Sequence, residues 1–308
     1  MNIYVDINAP FSGEGSKDYP FRSIQAAADI AQPGDTVLVA PGTYRENVDP
    51  KHAGTKDARI TYKSTVPLGA VISGAEKVDN WEEVAGDVWK VAVPNSIFGD
   101  YNPYTTRVAG DWFDARIVAH TGEVYLNDVA LYEVNSLDEV KKPVKNEKSW
   151  YPERTLYTWY AEQDEEADTT IIYANFQGKD PNKENVEINV RENCFYPQQE
   201  GIGYITLAGF GVTKAATQWA PPTAYQEGMI GPHWSKGWII EDCDVSHSKC
   251  SGISLGKYLQ PNNNNKWSKW KYKDGTQTER DAICQASYEG WDKEHVGSHI
   301  IRRNHIHD

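Results

Sequence analysis

Gly237-Trp-Ile-Ile-Glu-Asp-Cys-Asp-Val-Ser-His-Ser-Lys-Cys-Ser-Gly-Ile-Ser-Leu-Gly256 is the stretch whose reading decides the fold. Two short apolar runs, Trp238–Ile240 and Gly252–Leu255, flank a polar turn in which Val245 is the one inward candidate. Runs this short and this rich in turn residues predict strands separated by tight turns, not a helix. The pattern recurs. Ser298-His-Ile-Ile-Arg-Arg-Asn-His-Ile-His-Asp308 lays Ile300, Ile301 and Ile306 over Ile239, Ile240 and Val245 at an offset of 61. Ile205-Thr-Leu-Ala-Gly-Phe-Gly-Val212 lays Leu207 and Val212 over Ile240 and Val245 at an offset of 33. Repeated short strands, each covering its neighbour's apolar face, predict a parallel β-helix. The unequal offsets put a long insertion in one turn, since loops grow outward from a regular stack. The same segments also read as three antiparallel strands of a sandwich, so the direction of pairing separates the two.

Upstream, Ile3–Asp6 reads as a strand, followed by a Gly-rich turn at Ser12–Gly15. Ser23–Ala31 has apolar residues at helical spacing behind a serine N-cap candidate, and Pro33-Gly34 stops it. Thr36–Val39 is a buried strand, and Thr43–Val48 begins the next after Pro41-Gly42. A short helix followed by stacked strands would cap the N-terminal edge of such a stack. Ile60–Lys63 and Ala70–Gly74 add two strands. From about Lys77 to Arg191 the strands become antiparallel in style. Gly122–Glu133 is a hairpin signal with Asn127-Asp128 at its turn, and Trp159–Glu162, Thr169–Ala174 and Val186–Val190 follow. This spacing predicts a small inserted β-sandwich. Ser136–Tyr157, rich in Lys and Glu, reads as a solvated excursion.

The stack resumes at Ile202–Val212. Two loops, Thr217–Thr223 and Gly231–Gly237, carry Trp219, His233, Trp234 and Lys236. Aromatics on proline-stiffened loops of a rigid scaffold are plausible substrate contacts, and equally plausible staples that hold the loops to the wall. The insertion spans 257–296, with a turn at Asn262–Asn265, a basic aromatic run at Trp267–Tyr272 and a short helix over Gln277–Gly290. It reads as a lid or a surface excursion. The last residues, His307-Asp308, fall inside a coil, so a continuation of the stack is expected on the same protein or a separate chain.

The 308 residues carry a formal charge of −13. That balance argues against nucleic acid, anionic membrane and polyanionic polymers such as pectin. Eleven Trp and eighteen Tyr suit a sugar-handling protein, because pyranose C–H bonds pack on aromatic faces. Cys194, Cys243, Cys250 and Cys284 have no zinc-site spacing, and a chain this long needs no disulfide framework. Cys243 and Cys250 are expected to pack as small hydrophobes. The N-terminus shows no signal-peptide pattern and no run reaches transmembrane length, so a soluble cytoplasmic protein is the simplest reading.

Tyr4-Val-Asp, Tyr19-Pro-Phe-Arg-Ser-Ile-Gln-Ala-Ala, Pro33-Gly-Asp-Thr-Val and Pro41-Gly-Thr-Tyr-Arg-Glu46 together resemble the N-terminal cap of pectate-lyase-like, right-handed β-helix proteins. Gly110-Asp-Trp112, Tyr173–Gly178, Val186–Arg191, Trp219-Ala-Pro-Pro-Thr223, Gly231–Asp242 and Ser248–Ser251 narrow the match. With them the chain resembles the N-terminal half of glycoside hydrolase family 120 β-xylosidases. The resemblance implies an all-β fold: a right-handed parallel β-helix with a short N-terminal capping helix, interrupted by an immunoglobulin-like β-sandwich. The expected divisions are 1–76, 77–192 and 193–308.

The resemblance also implies a homo-oligomer, a tetramer in the family, that releases xylose from the non-reducing end of xylo-oligosaccharides by retaining hydrolysis. The family's Asp nucleophile and Glu acid/base fall beyond residue 308, so no catalytic residue is expected in this chain. Glu241, Asp242 and Asp244 are expected to be turn carboxylates bonding nearby backbone. Trp112 is the expected sugar-stacking residue, with Trp219, His233 and Trp234 as further substrate-binding candidates. No cofactor is expected, a structural Ca²⁺ being the one metal left open. Two other functions compete: a Ca²⁺-dependent polysaccharide lyase, which wants a carboxylate cluster and a Lys or Arg base, and a non-catalytic carbohydrate-binding β-helix.

Overall fold

The computed structural model describes residues 1–108, 118–219, 226–256 and 292–308. The expected features at Asn262–Asn265, Trp267–Tyr272 and Gln277–Gly290, and Cys284, lie outside these residues. The protein is mostly β with few helices, and it divides into two compact units.

The first unit comprises Met1–Gly74 and Glu192–Asp308. Its strands pair in parallel. Asn2–Val5, Thr36–Val39, Ile60–Ser64, Ile205–Ala208, Ile239–Glu241 and Ile300–Arg302 form one sheet in that order. Gly42–Tyr44, Ala70–Ser73, Gly211–Thr213, Asp244–Ser246 and His305–His307 form a second. A third line of parallel bridges runs Val48, Phe195, Ile230, Ile253. Register places Ile3, Val37, Tyr62, Leu207, Ile240 and Ile301 in one column. Tyr44, Ile72, Val212, Val245 and Ile306 make another. Both offsets read from the sequence, 61 and 33, are therefore the pairing offsets. The parallel direction excludes the antiparallel reading of these segments.

As far as Ile240 and Val245 these columns form one apolar core, with Tyr62 and Trp238 set edge-on to Phe195 at 4.9 and 5.9 Å. The stack leaves Ile300, Ile301 and Ile306 exposed at 44%, 40% and 54%. Turns are held from row to row. Asn304 donates to the Ile240 carbonyl and accepts from the Cys243 N–H, both at 2.9 Å. Gly237 has a left-handed φ of 67°, and an added Cβ would sit 2.8 Å from the Tyr204 ring. Only glycine fits that turn without strain.

Some expected strands differ. Thr43–Val48 contributes only Gly42–Tyr44 plus the bridge at Val48. Gly252–Leu255 is one bridge at Ile253, because Leu255 is exposed and neighbours a turn. The predicted helix forms over Ile24–Ala28, capped by the Ser23 hydroxyl, which accepts from Ala26.

The second unit, built from Ala75–Val108 and residues 118–191, has two sheets around its own core. One is antiparallel, in the order Val129–Ala130, Val124–Leu126, Val186–Asn189, Ala75–Lys77. The other orders Tyr132–Glu133, Thr158–Asp164, Thr169–Asn175, Val88–Pro94 and Glu82–Ala85, antiparallel except for its first pair. Asn127 and Asp128 turn the predicted hairpin with φ of 51° and 66°, as a two-residue turn of this hand requires. Ser136–Tyr157 is more ordered than its charge suggests. A helix at Leu137–Lys141 buries Val140 completely, and a 3₁₀ turn follows at Pro152–Leu156.

Cys194, Cys243 and Cys250 are free thiols. Burial pushes Cys243 up to about 11 and Cys250 up to about 12, which keeps both protonated and unreactive. No helix among the described residues is long and apolar enough to cross a membrane.

Candidate functional site

The loop before the strand Ile239–Glu241 puts His233 and Trp234 side by side in left-handed conformations, with φ of 45° and 52°. Two consecutive non-glycine residues there store backbone strain, which the surrounding contacts must hold. His233 is buried. Its Nδ1 lies 2.7 Å from the Pro197 carbonyl, and its ring stacks on Tyr196 at 5.2 Å. A carbonyl can only accept, so Nδ1 carries the proton and Nε2 is the acceptor in the neutral ring. Trp234 is half-buried, and its carbonyl accepts from the Gly201 N–H at 3.1 Å. Lys236, on the same loop, places its ammonium on the carbonyls of Lys293 and Val296. It ties the loop to the turn at 292–296.

Trp219 is half-buried at the end of a separate described segment. Two residues earlier, the Thr217 hydroxyl accepts from the Cys250 and Ser251 N–H groups and bonds the Ser248 hydroxyl at 2.9 Å. The structure thus brings His233 and Trp234 together and leaves Trp219 on another loop. Trp112 lies outside the described residues.

The acidic turn after Ile239–Glu241 departs from expectation. Its carboxylates bond side chains of the following row, not nearby backbone. Glu241 accepts from Arg302 at 2.7 Å and Arg303 at 3.1 Å. Asp242 takes Arg303 in a two-point grip of 2.6 and 2.8 Å. These hydrogen bonds hold the Asp242 carboxyl below its ordinary value. Asp244 accepts from two imidazoles: His305 Nδ1 lies 3.0 Å from one oxygen and His307 Nε2 3.2 Å from the other. Burial alone would raise Asp244, but those imidazoles outweigh it and hold the carboxyl low. A glycosidase acid must be raised to stay protonated near neutral pH. Asp242 and Asp244 are shifted the wrong way for that role.

The imidazole pair was legible in outline only. The repeat puts Ile306 inward on a strand, and the alternation of a strand sends His305 and His307 to the opposite face. Nothing in the sequence says that Asp244, 61 residues earlier, faces them; the ladder register does. The rings stack at 4.1 Å, and Asp308 accepts from His307 Nδ1 at 2.7 Å.

Comparisons with known proteins follow the division into units. Residues 78–188 match the family model "Glycoside hydrolase 120, insertion domain". Residues 8–52 match a family of unknown function, DUF1565. Uncharacterized protein YwoF of Bacillus subtilis (strain 168) is 41% identical over 80 residues, 26% of this chain and 17% of the relative. A solved structure, the complex of XylC with xylose, is 46% identical and superposes with a TM-score of 0.92. That match covers all of this chain and 50% of XylC, so the chain spans half the length of that relative. On these findings residues 78–188 resemble the insertion domain of glycoside hydrolase family 120, and the chain as a whole is similar to half of XylC.

Proposed function

We propose that these 308 residues are the N-terminal portion of a glycoside hydrolase, a retaining, exo-acting β-xylosidase that releases xylose from the non-reducing end of xylo-oligosaccharides. The likeness along the whole chain to XylC, solved with xylose, carries this reading. The scaffold is a right-handed parallel β-helix with a short capping helix, divided at 1–76, 77–192 and 193–308, and the middle portion is immunoglobulin-like. The exposed Ile300, Ile301 and Ile306 favour a further coil packed on the last row, on the same or a separate chain. The Asp nucleophile and the Glu acid/base belong to that continuation, about 5–5.5 Å apart as retention requires. Residues 1–308 by themselves would not turn over substrate.

This portion contributes sugar contacts. Trp112 is the sugar-stacking residue, and Trp219, His233 and Trp234 are further substrate-binding residues. The assembly is a homo-oligomer, a tetramer by family resemblance, and works in the cytoplasm without a cofactor.

The test is xylobiose hydrolysis by the intact protein containing these residues, with the first-formed anomer read by proton NMR. β-Xylose appearing first supports retention, and α-xylose appearing first overturns it. Cleavage of oligogalacturonate with Ca²⁺, and none of xylobiose, would assign a lyase instead. Trp112→Ala in the same protein should raise KM for xylobiose roughly tenfold, the loss of one stacking contact. An unchanged KM removes Trp112 from the site.

A further inference from the structure

We propose that Asp244, His305 and His307 form a binding site for a divalent transition-metal ion of the zinc class. The site stands on the outward face of the second parallel sheet, where Asp244 and His305 are direct ladder partners and His307 follows two residues on. One ligand atom from each of the three lies within 4.8 Å of the others. An ion with bonds of about 2.0–2.1 Å to nitrogen and oxygen in a tetrahedral shell needs ligand atoms roughly 3.3 Å apart. Each imidazole lies 3.0 or 3.2 Å from one of the two Asp244 oxygens, so binding through a single oxygen needs the cluster only to draw in from its 4.8 Å span.

The orientation of the rings is the second observation. Without metal both His307 nitrogens donate, Nδ1 to Asp308 and Nε2 to Asp244; an ion would replace the Nε2 proton while Nδ1 stays on Asp308. A carboxylate behind one imidazole nitrogen, with the other nitrogen facing a shared centre, is the usual outer support of a metal-bound histidine. Two imidazoles and one carboxylate suit zinc, nickel or copper, whereas calcium and magnesium take oxygen donors. Three protein ligands leave a fourth position for water. The ligands sit on paired strands, which hold geometry better than a loop. By contrast, His295 and Asp292 form an isolated pair with no third ligand beside them in the described residues. The site is independent of the sugar-binding reading.

Titration of the chelator-treated intact protein with Co²⁺, followed by Zn²⁺ competition, tests the proposal. One Co²⁺ per chain should bind, with the strong visible absorption of a tetrahedral ion, and one Zn²⁺ should displace it. His305→Ala and His307→Ala should each raise Kd at least about tenfold. Asp308→Asn should raise it by about tenfold through loss of outer support. His295→Ala should leave it unchanged. The His305 ring is largely exposed and the His307 ring half-buried, and circular dichroism checks the fold of each variant. Zinc-edge absorption spectroscopy on the unaltered protein needs no variant and should show two imidazoles. No binding at millimolar metal, binding that survives in the His305→Ala/His307→Ala double variant, or a spectrum without imidazole scattering would overturn the site.

Discussion

Trp238, second residue of the Gly237–Gly256 stretch, is fully buried in the parallel stack. Its indole N–H donates to the Ile202 carbonyl at 2.7 Å, and its ring meets the edge of Phe195. Trp238→Ala removes that packing and leaves a buried carbonyl unsatisfied. It should cost about 3–5 kcal/mol, read as a shifted urea midpoint at unchanged slope. Its backbone N–H donates to His299 Nδ1 at 3.1 Å, so that nitrogen must stay unprotonated. Burial, with help from the Lys236 charge, pushes His299 down to about 4 from its ordinary 6.5. The unfolded chain then takes up the proton first as pH falls. Stability from this group is complete above about 6.5 and is lost as pH falls toward about 4, levelling off below. Partial solvent screening limits the loss to about 1–2 kcal/mol. A melting-temperature profile in which His299→Gln flattens the fall between pH 6.5 and 4 would bear this out. A variant profile parallel to the parent would refute it.

At the scale of elements, the short N-terminal helix shows what the motifs were for. Both oxygens of Glu46 accept from the backbone N–H groups of Ile24 and Gln25, at 2.8 and 2.9 Å. The last residue of Pro41-Gly-Thr-Tyr-Arg-Glu46 thus caps a helix twenty residues earlier, beside the Ser23 hydroxyl. Five residues make too short a helix to stand alone, so external acceptors decide whether it forms. Glu46→Ala should cost about 1–2 kcal/mol, with faster amide exchange at Ile24 and Gln25 as the local signature. Exchange unchanged at those two amides would rule out the cap.

This also marks where the sequence was informative. The column of Leu207, Ile240 and Ile301 was legible because spacing between repeated apolar pairs is a property of the chain alone. The Asn127-Asp128 hairpin was legible for the same local reason. Ser136–Tyr157 was not, because counting Lys and Glu hid a capping box. Ser136 accepts from Glu139, Glu139 reaches back to Asn135, and one fully buried valine anchors the turn. The partners of Glu241, Asp242 and Asp244 were hidden too. Local sequence suggests backbone for a turn carboxylate, and only ladder register delivers Arg302, Arg303 and His305 across 61 residues.

At the scale of the molecule, each unit has a core drawn wholly from its own residues. Within the first, Arg59 bonds the row below it and the row beyond that. Its Nε donates to the Thr206 hydroxyl at 2.9 Å, and one terminal nitrogen donates to the carbonyls of Ile205, at 2.8 Å, and Gly237. A lysine has no fork with which to reach all three acceptors at once. Arg59→Lys should therefore cost about 1–3 kcal/mol, and two separate cores direct where that loss appears. Calorimetry of the parent should show two transitions. Arg59→Lys should lower one of them and leave the other in place, because no core residue of the second unit depends on that guanidinium. If both transitions fall together, the two cores melt as one cooperative body and separate packing does not make them independent.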